Sequence, residues 1–203
     1  MTYKTSIPIL PFQKVLKQSK TGAENAQVSR RILGIDPGLA GTGWGVLDNG
    51  SGNILYVDHG IIETKAGLPR AERLFFILQS IRSIIDKYKP AEAAIETLYF
   101  GRNVSSAIPV AEARGVISAA IAERGIPLRE LTPNAIKLGV AGHAGAGKKQ
   151  VQEMVKIILG LDEIPKPDHA ADALGAAICA ANSSSVLCDY GNRILQDTKI
   201  PRG

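Results

Sequence analysis

The sequence predicts an α/β protein built on a mixed five-stranded sheet that is flanked by helices. Three strand-like segments come first and are joined by short turns, as in antiparallel pairing. Two further strand-like segments alternate with segments of helical periodicity, as in parallel pairing with helical crossovers. A sheet that contains both kinds of pairing and is covered by helices accounts for all of these observations.

The predicted strands are short apolar or alternating runs that end at turn residues. They are RILGID (31–36), GTGWGVLD (41–48), NILYVDHGIIET (53–64), AEAAIE (91–96) and IPLREL (126–131). Pro37-Gly38 ends the first strand, and Asp48-Asn49-Gly50-Ser51-Gly52 is a turn signal between the second and the third.

The predicted helices have apolar residues three and four positions apart. They are residues 69–88, 103–124, 133–140, 148–161 and 168–182. Proline suits the first turn of the helix that begins at Pro133. We expect the glycine-rich residues 139–147 to form a flexible loop.

We expect one folded domain, residues 30–183, between two extensions. Residues 1–29 are polar and lysine-rich and are predicted to be a flexible basic extension, and residues 184–203 are predicted to be a disordered tail. No continuous apolar segment near the N-terminus resembles a secretion signal, so we expect a cytoplasmic protein. A leader for an organelle is the less favoured interpretation of residues 1–29, because arginine is not enriched there.

Composition and charge exclude several classes of protein. No apolar run reaches the roughly 18 residues that span a bilayer. The two cysteines, Cys179 and Cys188, are too few for a disulfide or zinc framework. The net charge of +5 lies entirely in residues 1–31, which hold six cations and one anion. The remainder is neutral overall, so binding of nucleic acid would depend on local basic patches.

Four side chains form a candidate metal site. Asp36 and Glu96 end two apolar strands, where a partly desolvated carboxylate needs a partner or a cation. If those strands pair in parallel, both acids lie in one crevice at the carboxyl ends of the strands. His169 and Asp172 are three residues apart and share one face of the last helix. These donors suit two Mg²⁺ ions, with Mn²⁺ as a substitute, and paired metals serve phosphoryl chemistry.

The start of the last helix carries two further signals. Asp168 follows a proline and is predicted to cap the helix, not to bind metal. The small residues of Ala173–Ala177 are expected to let the helix lie close against the sheet. Each acid taken alone also has a structural interpretation, as a turn residue or a helix cap, so the metal site rests on their joint placement.

One glycine-rich segment imitates a nucleotide-binding loop. Gly142–Lys149 fits the pattern GxxxxGK, but lysine stands where the Mg²⁺-holding Ser or Thr belongs, and a helix instead of a strand precedes it. We therefore reject nucleotide hydrolysis at this loop.

Six segments, in order, carry a resemblance to a known family. They are ILGIDPG (32–38), TGWG (42–45), AIE (94–96), ARG (113–115), KKQV (148–151) and HAADAL (169–174). Together they resemble the RuvC family of Holliday junction resolvases, over about residues 31–182. The resemblance implies an RNase H-like fold, a homodimer and Mg²⁺-dependent nicking of two like strands in a four-way DNA junction. By family analogy it also implies association with the RuvA and RuvB branch-migration helicase complex.

The resemblance assigns roles to single residues. Asp36, Glu96, His169 and Asp172 become the catalytic metal ligands, although aspartate is commoner in the family at the position of His169. Tyr99 becomes the junction-facing aromatic residue, which would stack on an unpaired base for about 1–3 kcal/mol. Its alternative is an ordinary tyrosine at a strand end.

Basic residues supply the predicted DNA contacts. The family's cations near the scissile phosphate fall on Lys137 and Lys148. The acid-free stretches 131–152 and 97–111 add Lys149 and Arg102 as candidate phosphate contacts. The alternative is a solvated loop with incidental lysines.

The sequence thus predicts a structure-selective endodeoxyribonuclease of recombination and repair. Water activated by metal attacks phosphorus in line, leaving 5′-phosphate and 3′-hydroxyl ends, while Lys137 or Lys148 offsets the developing charge. The apolar positions of helix 103–124 are a candidate dimer interface, unless they are ordinary core: Ile108, Val110, Val116 and Ile117. The alternatives are a catalytically silent nucleic-acid-binding module and half of an actin-like, phosphate-binding ATPase.

Overall fold

A five-stranded sheet forms the centre of the protein in a computed structural model, which describes residues 29–50, 53–97 and 104–197. Its strands are β1 (Arg30–Asp36), β2 (Gly41–Gly50), β3 (Asn53–Glu63), β4 (Glu92–Glu96) and β5 (Leu128–Leu131). They lie in the order β3-β2-β1-β4-β5. β2 pairs antiparallel with β1 and β3, whereas β4 pairs parallel with β1 and β5. The predicted mixed sheet is confirmed.

Helices cover both faces of this sheet. They are α1 (Arg70–Tyr88), α2 (Val104–Glu123), α3 (Pro133–Ala141), α4 (Lys148–Leu159) and α5 (Asp168–Asp197). The core on one face is shared with α1 and α2, and the core on the other with α3, α4 and α5. Within the described part of the chain, no helix is both long and apolar enough to cross a membrane.

The period-two alternation of β1 sends its side chains into the two cores. Ile32 packs in the core beneath α5, whereas Leu33 and Ile35 pack in the core beneath α1 and α2. On α1, Ile77 and Ile81 stand one turn apart and are fully buried. Each such side chain contributes about 1.5–3 kcal/mol by leaving water, so the two apolar faces hold the layers together.

A buried threonine fixes the turn that follows Asp36. The Thr42 hydroxyl donates to the Gly38 carbonyl oxygen at 2.7 Å and accepts from the Gly38 N–H at 3.3 Å. A Cβ atom on Gly38 would lie 2.4 Å from the carbonyl oxygen of Gly41, so only glycine fits there. The turn therefore leaves β1 in one defined direction and places Asp36 at its end.

The predicted flexible loop at 139–147 is wrong at its beginning. Helix α3 continues to Ala141, and Gly142 ends it with a left-handed backbone. Gly139 lies inside the helix because α3 packs against α5, where a Cβ atom would lie 2.8 Å from the Cys179 Sγ atom. This glycine serves close helix packing and not chain flexibility.

The predicted end of the last helix, near Asn182, is also wrong. The helical backbone of α5 continues through the serine run and most of the predicted tail to Asp197. The Ser183 hydroxyl donates to the carbonyl oxygen of Cys179, one turn earlier, at 2.7 Å. Serine can thus be accommodated within a helix by bonding to its own backbone, which a composition-based boundary does not anticipate.

Candidate active site

Two carboxylates meet where β1 and β4 end. The parallel register pairs Gly34 with Ala94 and Ile35 with Ile95. Asp36 and Glu96 are therefore the next pair, on neighbouring strands about 4.8 Å apart. By the alternation of the strands, both side chains lie on the α5 face of the sheet. The parallel pairing on which the predicted crevice depends is confirmed.

Glycines in the sheet allow α5 to lie directly on it. A Cβ atom on Gly34 would lie 2.0 Å from the Ala173 carbonyl oxygen, and one on Gly43 would lie 1.9 Å from the His169 carbonyl oxygen. Any side chain at either position would push the helix away. The predicted close approach of α5 is confirmed, and it brings the first turn of α5 to the ends of β1 and β4.

The first turn of α5 completes the cluster. His169 Nδ1 lies 2.7 Å from Asp36 Oδ2, a hydrogen bond between residues far apart in sequence. Asp172 follows one turn later and contributes its negative charge to the surroundings of both Asp36 and Glu96. The structure thus brings together all four residues predicted as metal ligands.

The electrostatics of the cluster show an excess of negative charge. Burial, and then the charges of Asp36 and Asp172, raise the pKa of Glu96 to about 7, against the opposing effect of two lysines. Burial also raises the pKa of Asp36, although its hydrogen bond with His169 opposes that rise. Glu96 therefore keeps its proton to near neutral pH, because burial and the neighbouring acids outweigh the two lysines.

Lys148, at the start of α4, is the cation in closest contact with the cluster. Its Nζ atom lies 3.1 Å from Asp168 Oδ2 and 3.3 Å from Asp172 Oδ2. Burial alone would lower the pKa of Lys148, but the two carboxylates raise it. The predicted position of Lys148 beside the reacting centre is therefore supported by its contacts.

Asp168 does not have the role predicted for it. It is the first helical residue of α5, and the carbonyl oxygen of Pro167 accepts the first bonds of the helix. Its carboxylate binds Lys148 instead, which lowers the pKa of Asp168. Sequence reasoning missed this ion pair, although the spacing of Asp168 and Asp172, one turn apart, was a usable signal.

Of the four remaining residues predicted to contact DNA, two lie in the described part of the chain and two lie outside it. Lys137 on α3 is close enough to lower the pKa of Glu96 by its charge, so it faces the site. Lys149 is exposed beside Lys148 at the start of α4. Tyr99 and Arg102 lie outside the described residues, and their predicted roles stay predictions.

The chemistry of the donor set fits a divalent cation. Among the described residues, no group of three or more His, Cys, Asp or Glu side chains is arranged to hold a metal ion. Two of the four side chains already have other partners: Asp36 is hydrogen-bonded to His169, and Asp172 forms an ion pair with Lys148. Three carboxylates and one imidazole are donors that Mg²⁺ and Mn²⁺ accept. A bound cation would also offset the negative charge of Asp36 and Asp172 that contributes to the raised pKa of Glu96.

Acidic residues at the ends of adjacent central strands and at the start of the last helix, on a sheet of this topology, define an RNase H-like nuclease. A sequence model of crossover junction endodeoxyribonuclease RuvC matches residues 32–180. This chain therefore belongs to the RuvC family of crossover junction endodeoxyribonucleases. That membership excludes the predicted alternative of an actin-like ATPase half.

Individual relatives agree with the family assignment. The chain is 48% identical to the RuvC of Chloroflexus aurantiacus over 161 residues, which cover 79% of this chain and 98% of that protein. It is 50% identical to the RuvC of Treponema denticola over 155 residues, covering 76% and 87%. The RuvC of Thermus thermophilus in complex with a Holliday junction substrate superposes with a TM-score of 0.73 at 32% identity, covering 77% and 96%.

Proposed function

We propose that this protein resolves four-way DNA junctions by paired, symmetric nicks, with two Mg²⁺ ions per subunit held by Asp36, Glu96, His169 and Asp172. The observation that carries the proposal is the convergence of these four side chains from three separate elements of the chain. The similar T. thermophilus RuvC, in complex with a Holliday junction substrate, supports the choice of DNA substrate. Mn²⁺ would serve as a substitute ion.

The chain's own residues prepare the site for an anionic substrate. Bound Mg²⁺ supplies activation of the attacking water and stabilisation of charge in the transition state. Asp36 and Glu96 would hold the metal at the strand ends, and His169, which is hydrogen-bonded to Asp36 in this structure, would join them as a ligand. Lys148 must release Asp172, after which its ammonium group is available for the scissile phosphate. Lys137, on the facing helix α3, adds a second positive charge for the same phosphate.

The decisive experiment offers the purified protein a synthetic four-way junction and a linear duplex of the same sequence. We expect nicks in two like strands of the junction, with 5′-phosphate and 3′-hydroxyl ends, in Mg²⁺ or Mn²⁺ and not in EDTA. The duplex is the control for non-selective nuclease activity. Equal cutting of both substrates, or cutting that EDTA leaves unchanged, would contradict the proposal. Junction binding without any cutting would instead favour the catalytically silent binding module.

Paired nicks require two sites, and an exposed apolar surface supports a homodimer. Phe75 and Phe76 on α1 are 58% and 52% exposed, and with Leu68 they line a groove of about 720 Å³. Ile108 on α2 is also exposed, whereas Ile117, another predicted interface residue, is fully buried in the core. Large aromatic side chains clustered in water usually mark an interaction site. The partner we assign to this surface is a second copy of the chain.

A charged residue introduced into this apolar surface should prevent the proposed homodimer from forming. We expect Phe76→Glu to be a monomer by light scattering and to lose the pairing of the two nicks. Leu55→Glu, on the edge strand β3, is the matched control because Leu55 is similarly exposed, at 63%. A Phe76→Glu protein that remains dimeric would rule out this interface.

The RuvA and RuvB helicase complex is the partner we propose for the assembled dimer on the junction.

A further inference from the structure

A cleft beside the candidate active site has no role in the chemistry described above. It measures about 580 Å³ and has His169 among its lining residues, so it borders the cluster of candidate metal ligands. One side is the turn between β1 and β2, residues 38–41, which Thr42 holds in place. The other side is formed by the start of α1 and by α2.

The lining of the cleft has the composition of a nucleotide site. Its apolar residues are Leu39, Ala40, Leu68, Pro109 and Val110. Its charged residues are two arginines, Arg70 and Arg73, and no Asp or Glu is among the lining residues. The adjoining groove along α1 differs, because Glu63 and Glu72 lie among its lining residues. A ligand that combines an apolar part with negative charge is therefore complementary to the cleft.

The two arginines are held in ways that leave them able to bind an anion. Arg73 donates from Nε to the Thr64 hydroxyl at 2.7 Å, which fixes the guanidinium at the cleft edge. Arg70 pairs with Glu112 at 3.3 Å, and the two side chains are 54% and 34% exposed. An exposed ion pair of this kind is weak, so Arg70 can exchange Glu112 for a phosphate at little cost.

We propose that this cleft binds a nucleotide of the cleaved strand next to the scissile phosphate, with Arg70 and Arg73 as ligands of a flanking phosphate. The inference rests on the proposed junction cleavage, because His169 lines the cleft and a strand cut at the cluster would have its neighbouring nucleotides beside it. The apolar residues would contact the sugar or the base. The arginine contacts with the phosphate would not depend on the DNA sequence.

Arg82 provides a matched control on the same helix. It pairs with Glu123 of α2 through two contacts of 2.9 and 3.1 Å, just as Arg70 pairs with Glu112 of α2. Arg82 is among the lining residues of neither the cleft nor the apolar groove described above. Arg70→Gln and Arg82→Gln thus remove the same charge and the same kind of interhelical ion pair, but only the first alters the cleft.

The test measures junction binding in EDTA by fluorescence anisotropy over a range of salt concentrations. We expect Arg70→Gln to weaken binding about three- to tenfold and to lower the salt slope by about one, as for the loss of one phosphate contact. Arg82→Gln should match the wild type. Next, single phosphates that flank the mapped nick are replaced by neutral methylphosphonates. One replacement should weaken the wild-type complex and should weaken the Arg70→Gln complex less, because only the contact with Arg73 remains there to be lost.

Each other outcome has a definite meaning. If Arg70→Gln binds like Arg82→Gln, or if it responds to every methylphosphonate as the wild type does, the subsite is overturned while junction cleavage stands. The subsite is likewise overturned if Arg70→Gln weakens binding only because it is monomeric by light scattering. A wild-type protein that neither binds nor cuts the junction would overturn the proposed function, and the subsite with it.

Discussion

The two ends of strand β4 carry the same residue type in opposite electrostatic settings. Glu92, at the beginning of the strand, is buried, and its carboxylate lies 3.1 Å from an Arg30 nitrogen and 2.9 Å from an Arg129 nitrogen. Glu96, at the end, faces the carboxylates of Asp36 and Asp172, and its pKa rises to about 7. One end of the strand is neutralised by the protein's own guanidinium groups, and the other end is not.

This difference distinguishes a carboxylate paired within the fold, Glu92, from a candidate metal ligand, Glu96. At Glu92 the neighbouring strands β1 and β5 each supply a guanidinium group that pairs with the carboxylate. At Glu96 the nearest cations are lysines on α3 and α4, and they only partly offset the surrounding acids. The acid at the beginning of β4 is therefore neutralised within the fold, whereas the acids at its end would be stabilised by divalent cations.

The largest expected effect is on catalysis and comes from the uncompensated end. Asp36→Asn should reduce junction cleavage on the order of 10³-fold or more, because metal-assisted stabilisation is worth several kcal/mol. Junction binding measured in EDTA should survive. Glu92→Gln is the control and should keep the wild-type rate per folded molecule. Cleavage by Asp36→Asn at the wild-type rate would remove this residue from the metal site.

Stability should respond in the opposite way at the two ends. Glu92→Gln should lower the free energy of unfolding by about 3 kcal/mol, because it removes the shared partner of two partly buried guanidinium groups. Glu96→Gln should leave it unchanged or raise it, because it removes a charge that its surroundings disfavour. Urea unfolding of both variants in EDTA measures the difference. Equal losses of stability would mean that Glu96 is as well compensated as Glu92.

The thermal stability of the metal-free protein should depend on pH because of the raised pKa of Glu96. The pKa of Glu96 is higher in the folded state than its ordinary value of 4.5, so folding favours the protonated acid. Its stabilising contribution is therefore full below about pH 4.5 and is lost as the pH rises to about 7 and beyond. The melting temperature in EDTA should fall over this window more steeply for the wild type than for Glu96→Gln. Mg²⁺ should reduce the fall, and identical curves for the two proteins would contradict the assignment.

Local patterns predicted the sheet and the four side chains that meet at its edge, because both depend on signals within single elements. Asp36 and Glu96 could be found from their places at the ends of apolar strands, and His169 and Asp172 from their spacing on one helix face. Gly139 could not be interpreted locally, because its packing against Cys179 of a distant helix decides its conformation. A glycine that signals flexibility in a sequence is the same residue that permits close packing.

The ion pair between α4 and α5 is a second feature that no local pattern specifies. Lys148 and Asp168 belong to helices joined by a loop, and only the packed structure shows that the lysine lies between Asp168 and Asp172. Of these two acids, Asp168 is not among the predicted metal ligands. In the proposed metal-bound state, Asp168 would therefore keep Lys148 beside the site after Asp172 has exchanged the lysine for a cation.

The smallest expected effect comes from Asp168→Asn. We expect junction cleavage to slow roughly two- to fivefold, the size of an effect from an exposed ion pair. Junction binding in EDTA should become tighter, because one negative charge beside the DNA is removed. Asp162→Asn, which removes an exposed acid from the loop before α5, should change neither.

Slower cleavage combined with tighter binding would show that Asp168 positions Lys148, because a purely electrostatic or a purely structural role would not give both effects. A purely electrostatic role for Asp168 would give tighter binding without slower cleavage, and a purely structural role would weaken both. In a Lys148→Ala background, Asp168→Asn should have no further effect on the cleavage rate, because the residue that it positions is gone. Additive losses in the double variant would show instead that Asp168 acts on the site by a route that does not involve Lys148.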